Sequence, residues 1–320
     1  MQSASERVEH QPVLLERCIA LLTPAINSNS HPIVVDATLG LGGHSAELLA
    51  RFPKLRILGL DRDPEAIKRA AQRLERYRDR LTIVHAIYDQ LPELLRELGI
   101  ESVDGILFDL GVSSMQLDIA ERGFSYAKPA PLDMRMDSTI GQSAADILNN
   151  YSERDLVRIL KEYGEERFAT RIVANIIKAR SAGTLRTTSD LAELVRESIP
   201  APARRIGGNP AKRTFQALRI EVNQELAILE RAIPAALNSL RVGGRMVVMS
   251  FQSLEDKIVK RHFVAVTESK TPKGLPVEIE SLRPKYKLLV SGSEKASATE
   301  IEENSRAQSV RLRAIERVAS

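Results

Sequence analysis

The segment Val34-Val35-Asp36-Ala37-Thr38-Leu39-Gly40-Leu41-Gly42-Gly43-His44 constrains this 320-residue chain more than any other. A short β-branched run ends in a carboxylate, passes through a glycine-rich turn and enters an amphipathic stretch, residues 45–52. That is the layout of a strand–turn–helix unit, in which glycines let a ligand approach the backbone and the helix N-terminus faces it. A second apolar run, Arg56-Ile57-Leu58-Gly59-Leu60, ends in Asp61, a carboxylate placed to take two ribose hydroxyls. A nucleoside-containing cofactor is the first expectation.

The glycine spacing argues against a dinucleotide. A dinucleotide fingerprint places glycines at its first, third and sixth positions. Counted from Gly40, the sixth position is Ser45, and an extra glycine stands at Gly43. Asp36 beside a pyrophosphate would also set two anions in one turn. It suits a cofactor carrying an ammonium and a sulfonium, such as S-adenosyl-L-methionine. On this segment alone three readings stay open: a methyltransferase, a dinucleotide enzyme and a tight structural turn.

Residues 33–37, 56–60, 81–86 and 105–110 read as four strands alternating with helical patterns, which predicts a parallel sheet with crossover helices. Between the second and third, residues 64–78 place Ile67, Ala70, Ala71, Leu74 and Tyr77 on one helical face. Pro64 suits the first helical position and Asp63 its cap. Residues 91–98 form the next crossover. A fifth strand, 245–250, follows the turn Val242-Gly243-Gly244. The long stretch before it cannot be a loop. It reads as helices over 144–149, 153–163, 165–179 and 189–198, with cap signals at Ser152 and Ser189. The chain returns through 214–240, whose first half has helical periodicity.

The expected organisation is an α/β domain in two parts, 1–118 and 212–320, with a small helical domain inserted over 119–211. Residues 270–304 are rich in Pro, Lys, Ser and Glu and read as loops, broken by a short strand at 286–290 that residues 309–312 can partner.

The single cysteine, Cys18, excludes an intramolecular disulfide and suits a reducing compartment. The first ten residues lack an apolar signal core, and no apolar run approaches a membrane span. A cytoplasmic protein without membrane attachment and without a metal site is expected. The net charge is +4 and the pI about 9.2. Cations cluster at Arg204, Arg205, Lys212, Arg213 and Arg219, and again at Arg306, Arg311, Arg313 and Arg317. Each cluster is a nucleic-acid contact or a solvated face.

The fourth strand ends in Asp109-Leu110-Gly111-Val112-Ser113-Ser114. In open α/β sheets ligands sit outside the carboxyl ends of the strands, so Asp36, Asp61 and Asp109 should line one rim. Tyr88, just past the third strand, is an adenine neighbour or plain packing.

Several blocks resemble one family, the bacterial small-subunit rRNA cytosine-N4 methyltransferases that act at the decoding centre. They are His10-Gln11-Pro12-Val13-Leu14-Leu15-Glu16, the Asp36 to Ser45 turn, Asp61-Arg62-Asp63-Pro64 and Asp109 through Asp118. The similarity continues through Glu121-Arg122-Gly123-Phe124-Ser125, Pro131 to Asp137, Tyr163 to Ala169, Arg213 to Ile220 and Ser250 to Asp256. The resemblance implies a class I methyltransferase fold, Rossmann-like with a mostly parallel sheet. It implies S-adenosyl-L-methionine as donor and small-subunit rRNA, within the assembled or assembling 30S subunit, as substrate. By resemblance, Gly42, Gly43 and His44 form the methionine-side turn, Asp61 holds the ribose, Tyr88 lies beside the adenine, and Asp109 and Gln116 complete the cofactor shell. Two departures stand out. Gln252 occupies a position where the family usually has histidine, so no general-base role is placed there. Asn304-Ser305-Arg306-Ala307-Gln308-Ser309 lacks the family's proline and second arginine.

The chemistry asked of these residues is definite. The exocyclic N4 of cytosine is a poor nucleophile because its lone pair is conjugated with the ring. Transfer needs nitrogen, methyl and sulfur in line, with an acceptor on the amine hydrogens. Asp109 is the expected acceptor. Asp133 is the alternative, along with Asp137, unless these carboxylates pair with Arg135. Cys18 lies outside the motifs and is expected in the core. The basic residues Arg204, Arg205, Lys212 and Arg213 are the expected RNA contacts.

Overall fold

Seven strands form one sheet: β1 (Ile33–Asp36), β2 (Arg56–Asp61), β3 (Leu81–His85), β4 (Val103–Asp109), β5 (Leu240–Ser250), β6 (Tyr286–Leu288) and β7 (Arg311–Arg317). Their order in space is β3-β2-β1-β4-β5-β7-β6. The computed structural model describes residues 12–183, 185–204, 209–269, 271–272 and 279–320. Strands β1 to β5 pair in parallel, and β7 runs antiparallel to both β5 and β6. This is the sheet of a class I methyltransferase fold. The strand order reverses between β1 and β4, which makes their carboxyl ends a topological switch point.

The chain divides into two compact units, Met1–Gly111 with Leu226–Ser320, and Val112–Glu225. The sequence reading set the division at 118/119 and 211/212. The helix Lys212–Asn223 packs Phe215, Ala217 and Leu218 into the core of the second unit, so it belongs there.

In the first unit both faces of the sheet are covered, so its strands are continuous apolar runs rather than alternating ones. The pleat still sorts the side chains. Val35, Leu58, Ile106, Phe108, Met246 and Val248 pack on one face with Leu229, Ile233, Val259 and Phe263 of the helices Glu225–Ser239 and Ser253–Thr267. Val34, Ile57, Leu107, Val247 and Met249 pack on the other with Cys18 and Leu22 of helix Leu15–Asn27 and Leu48 and Leu49 of helix Gly43–Arg51. Cys18 is buried there, in contact with Met249.

The second unit is built from helices whose starts are fixed by side-chain caps. Ser143, Ser152 and Thr187 accept from the backbone N–H groups of Asp146, Asp155 and Asp190, opening Ala144–Asn150, Glu153–Glu162 and Thr188–Ser198. The last cap is Thr187 rather than Ser189. The next helix over begins at Ala169 rather than 165, because Glu165 adopts a left-handed φ of 48° and the Glu166 carboxylate accepts from Phe168 N. A similar break at Gln224, φ 51°, ends the helix expected in the first half of 214–240 and is followed by a second, Glu225–Ser239.

Elsewhere, the helix Pro64–Arg73 stops short of 78 and passes into a tighter turn over Glu75–Arg80. Asp63 caps it as read, accepting from Glu65 N. Helices Leu15–Asn27, Ser253–Thr267 and Ala298–Glu303 were not read from sequence. Strand β7 is longer than the expected 309–312 and lies between β5 and β6. Of the C-terminal arginines read as a possible basic face, Arg311, Arg313 and Arg317 are tied into the fold. Arg311 and Arg313 pair with buried Asp256, and Arg317 donates to Leu240 O and Asn238 O. Among the described residues, no helix is long and apolar enough to cross a membrane.

At the amino edge of the sheet, Asp104 is 2% exposed. It accepts from Ile33 N (2.6 Å) and Asn29 Nδ2 (2.9 Å) and pairs with Arg241. Asp104→Ala leaves a guanidinium and a buried N–H without their acceptor. A loss of about 3 kcal/mol is expected, the low end of the usual range because Arg241 reaches solvent. Urea unfolding checks it; an unchanged midpoint would show that the cluster is not holding β1 to β4.

Candidate active site

Period-two alternation places Asp36 on the sheet face of Val34, Asp61 on that of Ile57, and Asp109 on that of Leu107. The three carboxylates therefore end neighbouring strands β2, β1 and β4 on a single face, at the switch point. The turn after β1 runs beneath them. Gly42 has φ +75°, a left-handed conformation that glycine adopts without a Cβ penalty, and opens the helix Gly43–Arg51. A Cβ at Gly43 would lie 2.6 Å from Pro12 Cγ. The need for glycine at 43 is thus set by the N-terminal segment folding over the turn.

Each carboxylate is held differently. Asp61 accepts from Gly40 N (2.7 Å) on one oxygen and Asp63 N (2.8 Å) on the other. That fixes its plane and leaves a lone pair on each oxygen for further donors. Burial raises its pKa, partly offset by those backbone bonds. Asp36 is buried and accepts from Ser45 Oγ (2.7 Å). Burial pushes its carboxyl to about 6, against the opposing Ser45 and Thr38 hydrogen bonds. The Asp109 side chain is 31% exposed and faces His44 Nδ1 at 3.9 Å. Its backbone N–H donates to Thr38 Oγ1 (2.6 Å). Desolvation, then the charges of Asp36 and Glu255, push its carboxyl up to about 7.

His44 does not neutralise this rim. Burial lowers its pKa to about 4, so the ring is neutral near pH 7. Its Nε2 lies 3.1 Å from Val13 O, a second tie between the N-terminal segment and the turn. Among the described residues no Lys or Arg side chain pairs with Asp36, Asp61 or Asp109. Tyr88 begins the turn after β3 and packs edge-on against Phe108 of β4, with ring centroids 5.5 Å apart. Gly42, Gly43, His44, Asp61, Tyr88 and Asp109 therefore come from one unit and one edge of its sheet. A rim with excess negative charge fits a cationic cofactor such as S-adenosyl-L-methionine, with Asp61 suited to a ribose diol; it does not fit a pyrophosphate.

The remaining candidates belong to the second unit. Gln116 forms a capping box with Ser113, its side-chain oxygen accepting from Ser113 N (3.1 Å). Asp133 is engaged by Arg135 through Nε (2.9 Å), Nη2 (2.7 Å) and the backbone N–H (3.0 Å). Against the effect of burial, those bonds hold its carboxyl below its usual value. Asp137 accepts from Thr139 N and Oγ1. The segment is pinned rather than loose: Asn223 bonds Met134 O and Met136 N, and Arg122 bonds Arg135 O and Met136 O. Arg204 Nε donates to Ile199 O and Arg213 Nη1 to Glu165 O, while Lys212 is exposed at its helix start. Arg219 pairs with Glu225 within the unit. Arg205 lies outside the described residues.

Sequence reasoning did not single out Ser45, Thr38 or Glu255. Glu255 is 2% exposed and accepts from Phe251 N (2.9 Å) and Gln252 N (3.1 Å) just past β5. Thr38 meets Asp109 across 71 residues and Ser45 meets Asp36 across nine, so no motif spacing signals either; Glu255, three residues after Gln252, has the spacing of a capping box, which could have found it.

The folded-state pKa of Asp109 lies above the 3.8 of an unperturbed aspartate. The folded protein thus holds this proton more tightly than the unfolded chain. The group's contribution to stability is full below about pH 4 and is lost as pH rises through about 7. Asp109→Asn should therefore raise the melting temperature, relative to the parent, more at about pH 8 than at about pH 5. A difference between the two proteins that does not change with pH would remove Asp109 from the desolvated cluster.

Residues 7–318 match the MraW methylase family. A protein named ribosomal RNA small subunit methyltransferase H from Renibacterium salmoninarum is 54% identical over 97% of this chain and 95% of its own length. Its namesake from a Parafrankia species is 57% identical over 98% of this chain and 95% of its own. An rRNA methylase of known structure from Streptococcus thermophilus aligns at 12% identity and a TM-score of 0.42, covering 93% of each chain. With the match running nearly end to end, the chain belongs to the MraW methylase family.

Proposed function

We propose that this chain transfers a methyl group from S-adenosyl-L-methionine to the exocyclic N4 of a cytidine in small-subunit ribosomal RNA, at the decoding centre of the assembled or assembling 30S subunit. The observation that carries the cofactor assignment is the row Asp61, Asp36, Asp109 at the carboxyl ends of β2, β1 and β4, with a neutral His44 and, among the described residues, no basic partner. The small-subunit rRNA substrate follows from the relatives' names.

When bound, the cofactor supplies an electrophilic methyl on a cationic sulfur. The protein supplies placement and charge. Asp61, its plane fixed by Gly40 N and Asp63 N, accepts from the ribose hydroxyls. The turn at Gly42 and Gly43, roofed by Pro12 and Val13, receives the methionine end. Tyr88 borders the adenine, and Gln116 is a further contact implied by the family resemblance. Asp109 accepts from the N4 amine and takes its proton. A carboxyl held at about 7 is matched to that task, since it is substantially ionised at neutral pH and basic enough to receive a proton. Asp133 is less suited, because Arg135 holds it in the ionised, weakly basic form. The target base has to leave its stack to reach such a rim.

Transfer of labelled methyl from S-adenosyl-L-methionine to unmethylated small subunits, followed by nucleoside analysis, tests the reaction. The label is expected in N4-methylcytidine; label in any other nucleoside would overturn the assignment. In a single turnover at saturating cofactor, Asp109→Asn should be slower by about a hundredfold or more. Full single-turnover activity would end its role as acceptor.

Arg204, Lys212 and Arg213, with Arg205, contact RNA phosphates in this reading. Neutralising Arg204, Lys212 and Arg213 together should leave cofactor affinity unchanged. The slope of log affinity for RNA against log salt should become shallower by about two. An unchanged slope would make this surface a solvated face.

A further inference from the structure

Gln252 carries a buried side-chain oxygen that has no hydrogen-bond partner among the described residues. Past the end of β5 the chain runs Ser250-Phe251-Gln252 and enters the helix Ser253–Thr267. Asp109 is in register with Met249, Leu110 N donates to Met249 O (3.0 Å), and a Cβ on Gly111 would reach the Phe251 ring at 3.9 Å. Gln252 thus stands at the end of the strand beside the one that carries Asp109.

Buried Glu255 fixes it there. One carboxylate oxygen accepts from the backbone N–H groups of Phe251 and Gln252, and the other accepts from Gln252 Nε2 at 2.9 Å. The amide orientation follows from this contact, since the reversed amide would set an oxygen against a carboxylate. One amide N–H is engaged by Glu255, and the carbonyl is directed away from it. That Oε1 is buried and has no hydrogen-bond partner among the described residues. Ser250 Oγ, in a residue 1% exposed, is in the same condition two positions earlier. A buried acceptor without a donor is costly, and such atoms persist where a ligand completes them.

The donor that would complete Gln252 is defined by elimination. The cofactor's cationic groups are matched by the carboxylates of Asp36 and Asp109, and its ribose by Asp61. A neutral acceptor at the end of β5 suits a neutral N–H. The target's exocyclic amine carries two hydrogens, one for the Asp109 carboxylate and one for a second acceptor. We propose that Gln252 Oε1, held in place by Glu255, accepts a hydrogen bond from the N4 amine of the target cytidine and so selects cytidine over uridine. The inference rests on the reaction proposed above. An amide has no basic site for the proton, so Gln252 orients the amine while Asp109 receives its hydrogen. Uridine presents a carbonyl oxygen at the same place, and two acceptors then face one another without a hydrogen between them.

The test uses the full-length protein and unmethylated small subunits carrying either cytidine or uridine at the target position. Melting temperatures, cofactor Kd, kcat and KM are measured for the parent, Gln252→Ala and Gln252→His. The uridine subunits serve as competitive inhibitors. Gln252→Ala should keep the cofactor Kd, lose about tenfold or more in kcat/KM, and narrow the difference between the two subunits as ligands, with Asp109 left as the acceptor that still disfavours uridine. Gln252→His keeps a donor for Glu255 on one ring nitrogen and an acceptor on the other, and should recover both properties. Folded Gln252→Ala with the parent's kcat/KM and discrimination would overturn the proposal. So would a folded Gln252→His that rescues neither, or a weakened cofactor Kd with subunit affinity untouched, which would assign the oxygen to the cofactor. Inactivity of the parent on cytidine subunits would instead overturn the reaction itself, and the inference with it.

Discussion

Asp36, Asp61 and Asp109 share one face of a parallel sheet because each ends its strand at the same phase of the pleat, in neighbouring strands. Desolvation raises the pKa of all three, to about 6 for Asp36 and about 7 for Asp109. A folded protein does not gain stability from such an arrangement. Like charges brought together at a desolvated edge oppose folding until something cationic joins them. The two apolar layers that sandwich the sheet therefore do more than hold the strands. They fix the carboxylates against their mutual repulsion, and the site inherits its rigidity from that packing.

The glycine turn depends on the same scaffold through less obvious ties. Pro12 closes over Gly43 and Val13 O meets the His44 ring. Leu14 N in turn donates to Glu300 (2.6 Å), and Arg17 pairs with Glu294. The N-terminal segment is thereby clamped between the turn and a stretch nearly three hundred residues later in the chain. At the opposite side of the rim, Glu255 performs a similar service for Phe251 and Gln252. Support for the site comes from both ends of the sequence.

The strand–turn–helix units were legible because their signals are local. A β-branched run, an Asp, a glycine turn and a Pro64 start with its Asp63 cap are each contained within a few residues. The helix Leu15–Asn27 was not legible: its start, Leu14, is left-handed with no side-chain cap, and Pro24 interrupts its interior. The helix Ser253–Thr267 starts from a glutamine, outside the usual capping residues. The breaks at Glu165 and Gln224 depend on left-handed backbone at residues with no intrinsic preference for it. Strand β7 was read short because alternating arginines, Arg311, Arg313 and Arg317, mask its apolar face, and their partners lie on other elements. At the site, the strand-end carboxylates were legible, while Ser45 and Thr38 became visible once the fold placed them.

The central claim is that the carboxylate rim selects a cationic nucleoside cofactor over an anionic one. Isothermal titration of the full-length protein with S-adenosyl-L-methionine and, separately, with NAD at about pH 8, where Asp36 and Asp109 are ionised, tests it most directly. Saturable one-site binding of S-adenosyl-L-methionine with no measurable heat from NAD is the predicted result. NAD binding as tightly as S-adenosyl-L-methionine, or neither ligand binding to the folded protein, would contradict it.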